Sequence, residues 1–303
     1  MNAPPTWREL RAQVQAALAA AGCTDAAAEA RFLVEEASGY GLDEWPDAAA
    51  TVAPERARAR LLDMCRRRAA GEPLQYVLGA WSFRGLDLMV DRRVLIPRPE
   101  TEWVAEVALE EAERLGLRRR RGRGPRAAAG PARHRVADLG TGSGALALAL
   151  ERELPDAQVW ATDVSEHALH VARANAAGCG ATRVCFAAGS WFGALPDALA
   201  GTFTLVVSNP PYVAEHEVAA LAPEVACHEP RGALVAGPQG TEALAEIVGA
   251  APGWLAPAAA LVCELAPHQA DAVASLARDA GFDDVAVRDD LAGRPRVLVA
   301  RRG

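Results

Sequence analysis

From Arg135 onward the chain alternates short apolar runs with helical patterns, and few folds accept that alternation. The runs are Val136-Ala-Asp-Leu139, Gln158–Thr162, Arg183–Phe186, Thr204–Ser208 and Ala260–Glu264, each bounded by Gly, Pro, Asp or Asn. Ser165–Ala177 and Pro267–Ala280 read as helices between them. Apolar runs without in/out alternation belong to strands covered on both sides, so the pattern predicts an α/β domain: a mostly parallel sheet with helices on both faces. Val285–Val287 and Arg296–Ala300 would bring the sheet to about seven strands.

The first 78 residues read as helices alone. Thr6-Trp-Arg-Glu9 is a capping box, placing a hydroxyl and a carboxylate on the first free amides of a helix. Leu10, Val14, Ala17 and Leu18 then recur at helical spacing. Further helices are expected from Asp25 to Ser38, stopped by Gly39, and from Pro54 to Ala70, stopped by Gly71 and Pro73. Residues 79–98 change character. Trp81-Ser-Phe83, Leu86–Val90 and Val94–Ile96 predict short strands around turns, a β-hairpin linker into a domain spanning 99–303. A helix is expected to start at Pro97-Arg-Pro99, with Trp103, Val104, Val107 and Ala108 inward.

The chain has 303 residues and is 51% apolar, enough for a sizeable core. Its longest apolar stretches are too short to cross a bilayer. Residues 1–20 carry Glu9 and no continuous apolar core, which argues against a secretory signal and for a cytoplasmic protein. Six cysteines without a C-x-x-C pair read as reduced and structural. His167 and His170 lie one helical turn apart without a third ligand, so no metal site is expected.

Net charge is −7, and all 32 basic residues are Arg. Eight of them fall between Arg118 and Arg135, so setting those aside leaves −15 on the rest. That balance speaks against stable binding to duplex DNA, which needs a broad basic face. The Arg/Gly/Pro/Ala run 118–134 reads as a solvated insertion.

Two motifs carry chemistry. In Asp138-Leu-Gly140-Thr141-Gly142-Ser143-Gly144 the glycines let backbone approach a ligand at the start of a helix. Twenty-three residues after Gly140, Asp163 ends the next strand, where a carboxylate accepts from ribose hydroxyls. The spacing G-x-G-x-G lacks the third glycine of the dinucleotide fingerprint. The second motif, Ser208-Asn209-Pro210-Pro211-Tyr212, ends the fourth strand at the same ligand-binding edge. An Asn carbonyl and the Pro210 carbonyl are able to accept both hydrogens of a planar –NH2 group, and Tyr212 offers a face to stack on it. Two acceptors suit that geometry: adenine N6 in nucleic acid, and a glutamine side-chain amide in protein.

The glycine loop resembles motif I of class I S-adenosylmethionine-dependent methyltransferases. More widely, Gly71-Glu-Pro-Leu-Gln-Tyr-Val-Leu-Gly79, Leu95-Ile-Pro-Arg-Pro-Glu-Thr-Glu102, Asp138–Gly144, Asp163-Val-Ser165, Ser208–Tyr212 and Glu229–Leu234 resemble the release factor glutamine methyltransferases over essentially the whole length. The resemblance implies a Rossmann-like methyltransferase fold and N5-methylation of the glutamine in the Gly-Gly-Gln loop of class 1 release factors. An adenine-N6 nucleic-acid methyltransferase is the alternative. It further implies that Gly140, Thr141, Gly142, Ser143, Gly144 and Asp163 bind S-adenosylmethionine, leaving S-adenosylhomocysteine as product. Trp191 would lie along the adenine. Asn209 would touch cofactor and substrate, and Pro210, Pro211 and Tyr212 would grip the amide with it, Asn209, Pro210 and Tyr212 catalytically. The helical domain 1–78 would dock the factor, and the enzyme would act as a monomer. Ser190 stands where the family often has Asp. Arg98 and Glu100 carry no assigned role.

Overall fold

The computed structural model describes residues 4–117 and 134–303. The insertion expected at 118–134 lies outside the described residues apart from His134. In chain order the elements are α1 Trp7–Ala20, α2 Ala26–Ser38, α3 Trp45–Ala48, α4 Glu55–Ala69 and α5 Leu74–Leu78. Next come β1 Ala80–Phe83, β2 Leu86–Met89, α6 Pro99–Arg114, β3 His134–Leu139, α7 Ala145–Glu153, β4 Ala157–Asp163, α8 Glu166–Cys179 and β5 Val184–Ala188. They are followed by β6 Phe203–Ser208, β7 Val213–Ala214, α9 Pro223–His228, α10 Arg231–Leu234, β8 Val235–Gly237, α11 Glu242–Trp254 and β9 Leu255–Glu264. The last are α12 Ala270–Asp279, β10 Asp284–Asp289 and β11 Pro295–Arg301.

These fall into two compact units, Met1–Ala80 with Ala222–His228, and Trp81–Leu221 with Glu229–Gly303. In the helical unit the Thr6 hydroxyl accepts from the Glu9 amide and the Glu9 carboxylate accepts from Thr6. Asp25 caps α2, and Gly39 ends it in the left-handed region. The core joins Trp7, Leu10, Val14 and Leu18 to Leu33 and Leu61. Ala17 is exposed, and Trp7 completes that face of α1 instead. The short helix α5 was not expected.

The larger unit carries a seven-stranded sheet ordered β10-β11-β9-β6-β3-β4-β5. β9, β6, β3, β4 and β5 run parallel, while β11 is antiparallel to both β9 and β10. All seven expected strands are present. One face packs α6 and α7 against the sheet with Phe83, Leu86 and Leu88 of the β1–β2 hairpin. The other packs α11 and α12. Val94–Ile96 forms no strand. It runs as irregular backbone into α6, where the Ile96 amide donates to Glu229 rather than to a neighbouring strand.

Strand order reverses at β3, flanked by β4 and β6, and the crevice beyond their carboxyl ends is where open α/β sheets take ligands. Register sets what meets there. Leu139 lies opposite Thr162 on one side and Ser208 on the other, and Ser208 lies opposite Cys263. Gly140 and Asn209, just past β3 and β6, and Asp163 and Glu264, the last residues of β4 and β9, therefore leave the sheet at one level.

Candidate active site

The turn after β3 is held to β4 by two amides, Gly140 and Thr141, which both donate to the Thr162 carbonyl at 2.9 and 2.8 Å. Gly140 sits at φ +73°, and a Cβ there would lie 3.0 Å from Cζ3 of Trp191. The indole thus rests on bare backbone. Gly144, at φ +86°, is a packing position, because a Cβ would press on Ala172 and Leu148 at 3.3 Å. Trp191 itself holds φ +44°, uncommon for a non-glycine residue, and its Nε1 donates to Glu246 at 3.1 Å.

A cavity of about 390 Å³ opens over this turn, within the size range of small-molecule sites. Gly140, Thr141, Gly142, Ser143, Asp163, Trp191, Asn209 and Pro211 all line it. Of the other expected site residues, Gly144, Pro210 and Tyr212 are not on its wall. Gly144 supports the loop from behind, Pro210 is buried, and Tyr212 turns its hydroxyl to Glu264 at 3.3 Å.

The acids of the site are held in different ways. Asp138 is 1% exposed; its Oδ2 accepts from the Thr141 hydroxyl at 2.6 Å and the Ala147 amide at 3.1 Å, while Oδ1 is buried without a partner. Burial pushes its carboxyl up to about 7 against those two bonds. Asp163 accepts from the Gly142 and Ser165 amides at 2.9 and 2.8 Å, and burial raises it as well. Each of its oxygens keeps a lone pair for a ligand hydroxyl. Val164, 79% exposed and on the cavity wall, offers an apolar face beside it.

Asn209 leaves β6 with Nδ2 donating to the Thr101 hydroxyl at 3.0 Å and with Oδ1 buried and unpartnered. Thr101 in turn donates to Glu264 at 2.8 Å. Neither Thr101 nor Glu264 was singled out from the sequence. The available signal was a single acid closing the apolar run Ala260–Glu264 at the ligand-binding edge. The backbone after Asn209 is pinned by Gln269, whose Nε2 donates to the Tyr212 and Gly240 carbonyls at 2.9 and 3.0 Å. Across from it, Arg98 pairs with the buried Glu229, which fixes the segment running into Pro230, Gly232 and Ala233 on the cavity wall. Glu100 faces Arg294 at 3.9 Å away from that wall. His167 and His170 meet edge to face at 6.4 Å.

A glycine cradle, an unpartnered buried carboxylate oxygen and an acid with free lone pairs suit a ligand carrying a ribose and a positive charge. The chain matches the family descriptions "PrmC N-terminal domain" over residues 9–79 and "Methyltransferase small domain" over residues 127–237. The catalytic domain of hMettl16, solved with a MAT2A 3'UTR hairpin, superposes with a TM-score of 0.56 at 17% identity over 89% of this chain and 90% of that one. A methyltransferase from Pyrococcus furiosus gives 0.50 at 18% identity over 81% and 98%. Both share the fold. A release factor glutamine methyltransferase of Deinococcus radiodurans is 40% identical over 97% of this chain and 98% of its own length. One from Bordetella pertussis is 42% identical over 89% and 92%. Identity of that size over nearly the full length, with a class I methyltransferase sheet beneath it, makes the chain a member of the release factor glutamine methyltransferase family.

Proposed function

We propose that the protein transfers a methyl group from S-adenosylmethionine to the side-chain amide nitrogen of the glutamine in the Gly-Gly-Gln motif of class 1 release factors. The observation that carries this reading is the carbonyl oxygen of Asn209, buried and without a hydrogen-bond donor on the cavity wall. A primary amide supplies the missing donor, and the following proline carbonyl takes its second hydrogen.

In this reading the Gly140–Gly144 turn cradles the cofactor, Asp163 accepts from its ribose, and Trp191 and Val164 flank the adenine. When bound, S-adenosylmethionine would supply a methyl carbon activated by its sulfonium. The chain's part is to aim an amide lone pair, normally delocalised into the carbonyl. Asn209, on the cavity wall, takes one N–H bond, and the carbonyl of Pro210, set behind that wall, is assigned the other, which leaves the lone pair facing the cofactor pocket. Positioning of this kind supplies up to about 7–11 kcal/mol of a barrier, and oriented acceptor dipoles add to it. Burial holds the Tyr212 hydroxyl far above its ordinary range, so it stays neutral and donates to Glu264 behind the clamp. The amide proton then leaves to water after transfer. We assign release-factor docking to the helical domain.

A tritiated-methyl transfer assay tests this with a release factor, its Gly-Gly-Gln→Gly-Gly-Ala variant and unmethylated duplex DNA side by side. Label on the unaltered factor alone is the expected result. Label on DNA alone would mean that the amine held is adenine N6.

A further inference from the structure

Glu264 is 0% exposed at the end of β9, next to the clamp, and no role in binding requires it. Its Oε2 accepts from Thr101, whose hydroxyl oxygen accepts from Asn209; its Oε1 accepts from Tyr212. One buried carboxylate thus gathers both ends of Asn209–Tyr212. Resting on the amide-clamp reading above, we propose that Glu264, acting through Thr101, is the positioning residue that holds the Asn209 amide with its carbonyl toward the substrate.

The direction follows from counting hydrogens. A threonine hydroxyl has one proton. When Glu264 is ionised that proton goes to the carboxylate, and only lone pairs are left for Asn209. Asn209 must then present Nδ2, and its Oδ1 turns to the cavity as an acceptor. A protonated Glu264 reverses the chain. It donates to Thr101, Thr101 donates to Asn209, and Asn209 answers with Oδ1 while Nδ2 faces a substrate that offers only N–H. The clamp works in one state and repels in the other.

The groups facing Glu264 from each neighbouring element are Thr101 and Glu100 of α6, Tyr212 after β6, and Arg296 of β11. Burial lifts the carboxyl to about 7; Thr101, Arg296 and Tyr212 oppose that lift and Glu100 adds to it. Arg296 is partly engaged elsewhere, with Nη2 3.6 Å from Asp290 and Nη1 donating to the Leu265 carbonyl. Burial thus brings the Glu264 carboxyl toward neutral pH.

The chain has three asparagines, Asn2, Asn175 and Asn209, so selective ¹⁵N-asparagine labelling of the full-length protein yields three side-chain amide pairs. Asn209→Ser assigns the pair of interest. In the free protein the Asn209 amide is expected to titrate in one step between pH 5.5 and 8.5. Glu264→Gln and Thr101→Val should abolish that step, and Thr101→Ser should restore it. In the methyl-transfer assay Glu264→Gln and Thr101→Val should lower kcat about 10–100-fold with cofactor Kd within twofold, and Thr101→Ser should stay within about threefold of wild type. Loss of the acid limb of the kcat profile in Glu264→Gln is a readout that a purely structural residue would not give. An Asn209 amide that ignores pH in the wild type, or a Glu264→Gln enzyme with full kcat, overturns the relay. If the wild-type protein labels no glutamine while the amide titrates as described, the relay stands and the substrate reading falls.

Discussion

Asp138 makes a quantitative prediction about cofactor binding. It has no counter-charge among the contacts it makes, one of its oxygens is unpartnered, and burial holds its carboxyl at about 7. The raised value means the group is neutral below pH 7 in the free protein and charged above it. A cationic ligand in the cavity favours the charged form, so attraction is present above pH 7 and fades as pH falls through it. If binding lowers that value by one unit, the group's contribution totals about tenfold, or ~1.4 kcal/mol, lost between about pH 8 and 5.5. Asp163, also raised by burial, pulls in the same sense. Isothermal titration with S-adenosylmethionine at pH 5.5, 6, 7 and 8, in two buffers of different ionisation enthalpy, reads both affinity and proton release. Wild type should release about half a proton per ligand at pH 6. Asp138→Asn should release far less, bind about tenfold more weakly at pH 8 and match wild type near pH 5.5. A wild-type Kd that is flat between pH 5.5 and 7, or an Asp138→Asn profile as steep as wild type, would refute the reasoning.

Asn209→Ala is expected to abolish turnover while cofactor affinity stays within about tenfold, ~1.4 kcal/mol; full activity in that variant removes the amide clamp. Asp163→Ala should raise the cofactor Kd by about 10–100-fold, the loss of charge-assisted hydrogen bonds at roughly 1.5–3 kcal/mol, and an unchanged Kd by titration takes it out of the ribose site. Gly140→Ala places a Cβ 3.0 Å from the Trp191 ring at φ +73°. The backbone alone costs about 1–2 kcal/mol, so a melting temperature lowered by several degrees is expected, and Trp191→Ala in the same chain should recover the steric part only. Asp138 and Glu264 both hold protons in the fold, at about 7, that the unfolded chain gives up near pH 4. The ligand-free protein should therefore lose stability as pH rises from 5 to 7 and level off above it; thermal melts that rise steadily across that window would contradict the burial of these acids.

What was legible in the sequence was what depends on near neighbours. The capping box at Thr6–Glu9, the glycine turn after β3, and all seven strands announce themselves within a few residues, since apolar runs and turn chemistry are local. The third linker strand failed for the complementary reason. Val94–Ile96 has strand composition, yet its amide is taken by Glu229, 133 residues away. Likewise Ala222–His228 joins the helical unit although it lies far along the chain. Trp191 lines the cavity, but its left-handed backbone and its contact with Gly140 follow from bringing the turn after β5 against the turn after β3, which local sequence does not encode.

The acids follow the same division, and they show where function was purchased with stability. Asp163 was found because it closes a strand at a recognisable distance from a glycine turn. Glu264 was not, because its partners Thr101 and Tyr212 stand 163 and 52 residues away and meet it only through the packing of α6 on β9 and the β6–β9 register. A buried carboxylate whose nearest cation, Arg296, is engaged with Asp290 and the Leu265 carbonyl is destabilising, and an apolar side chain would pack the end of β9 at lower cost. Strain of this kind persists where the surrounding structure requires it. In the proposed relay it lies beneath Asn209, whose amide has to face one way, and sequence patterns built on local stability have no means of anticipating it.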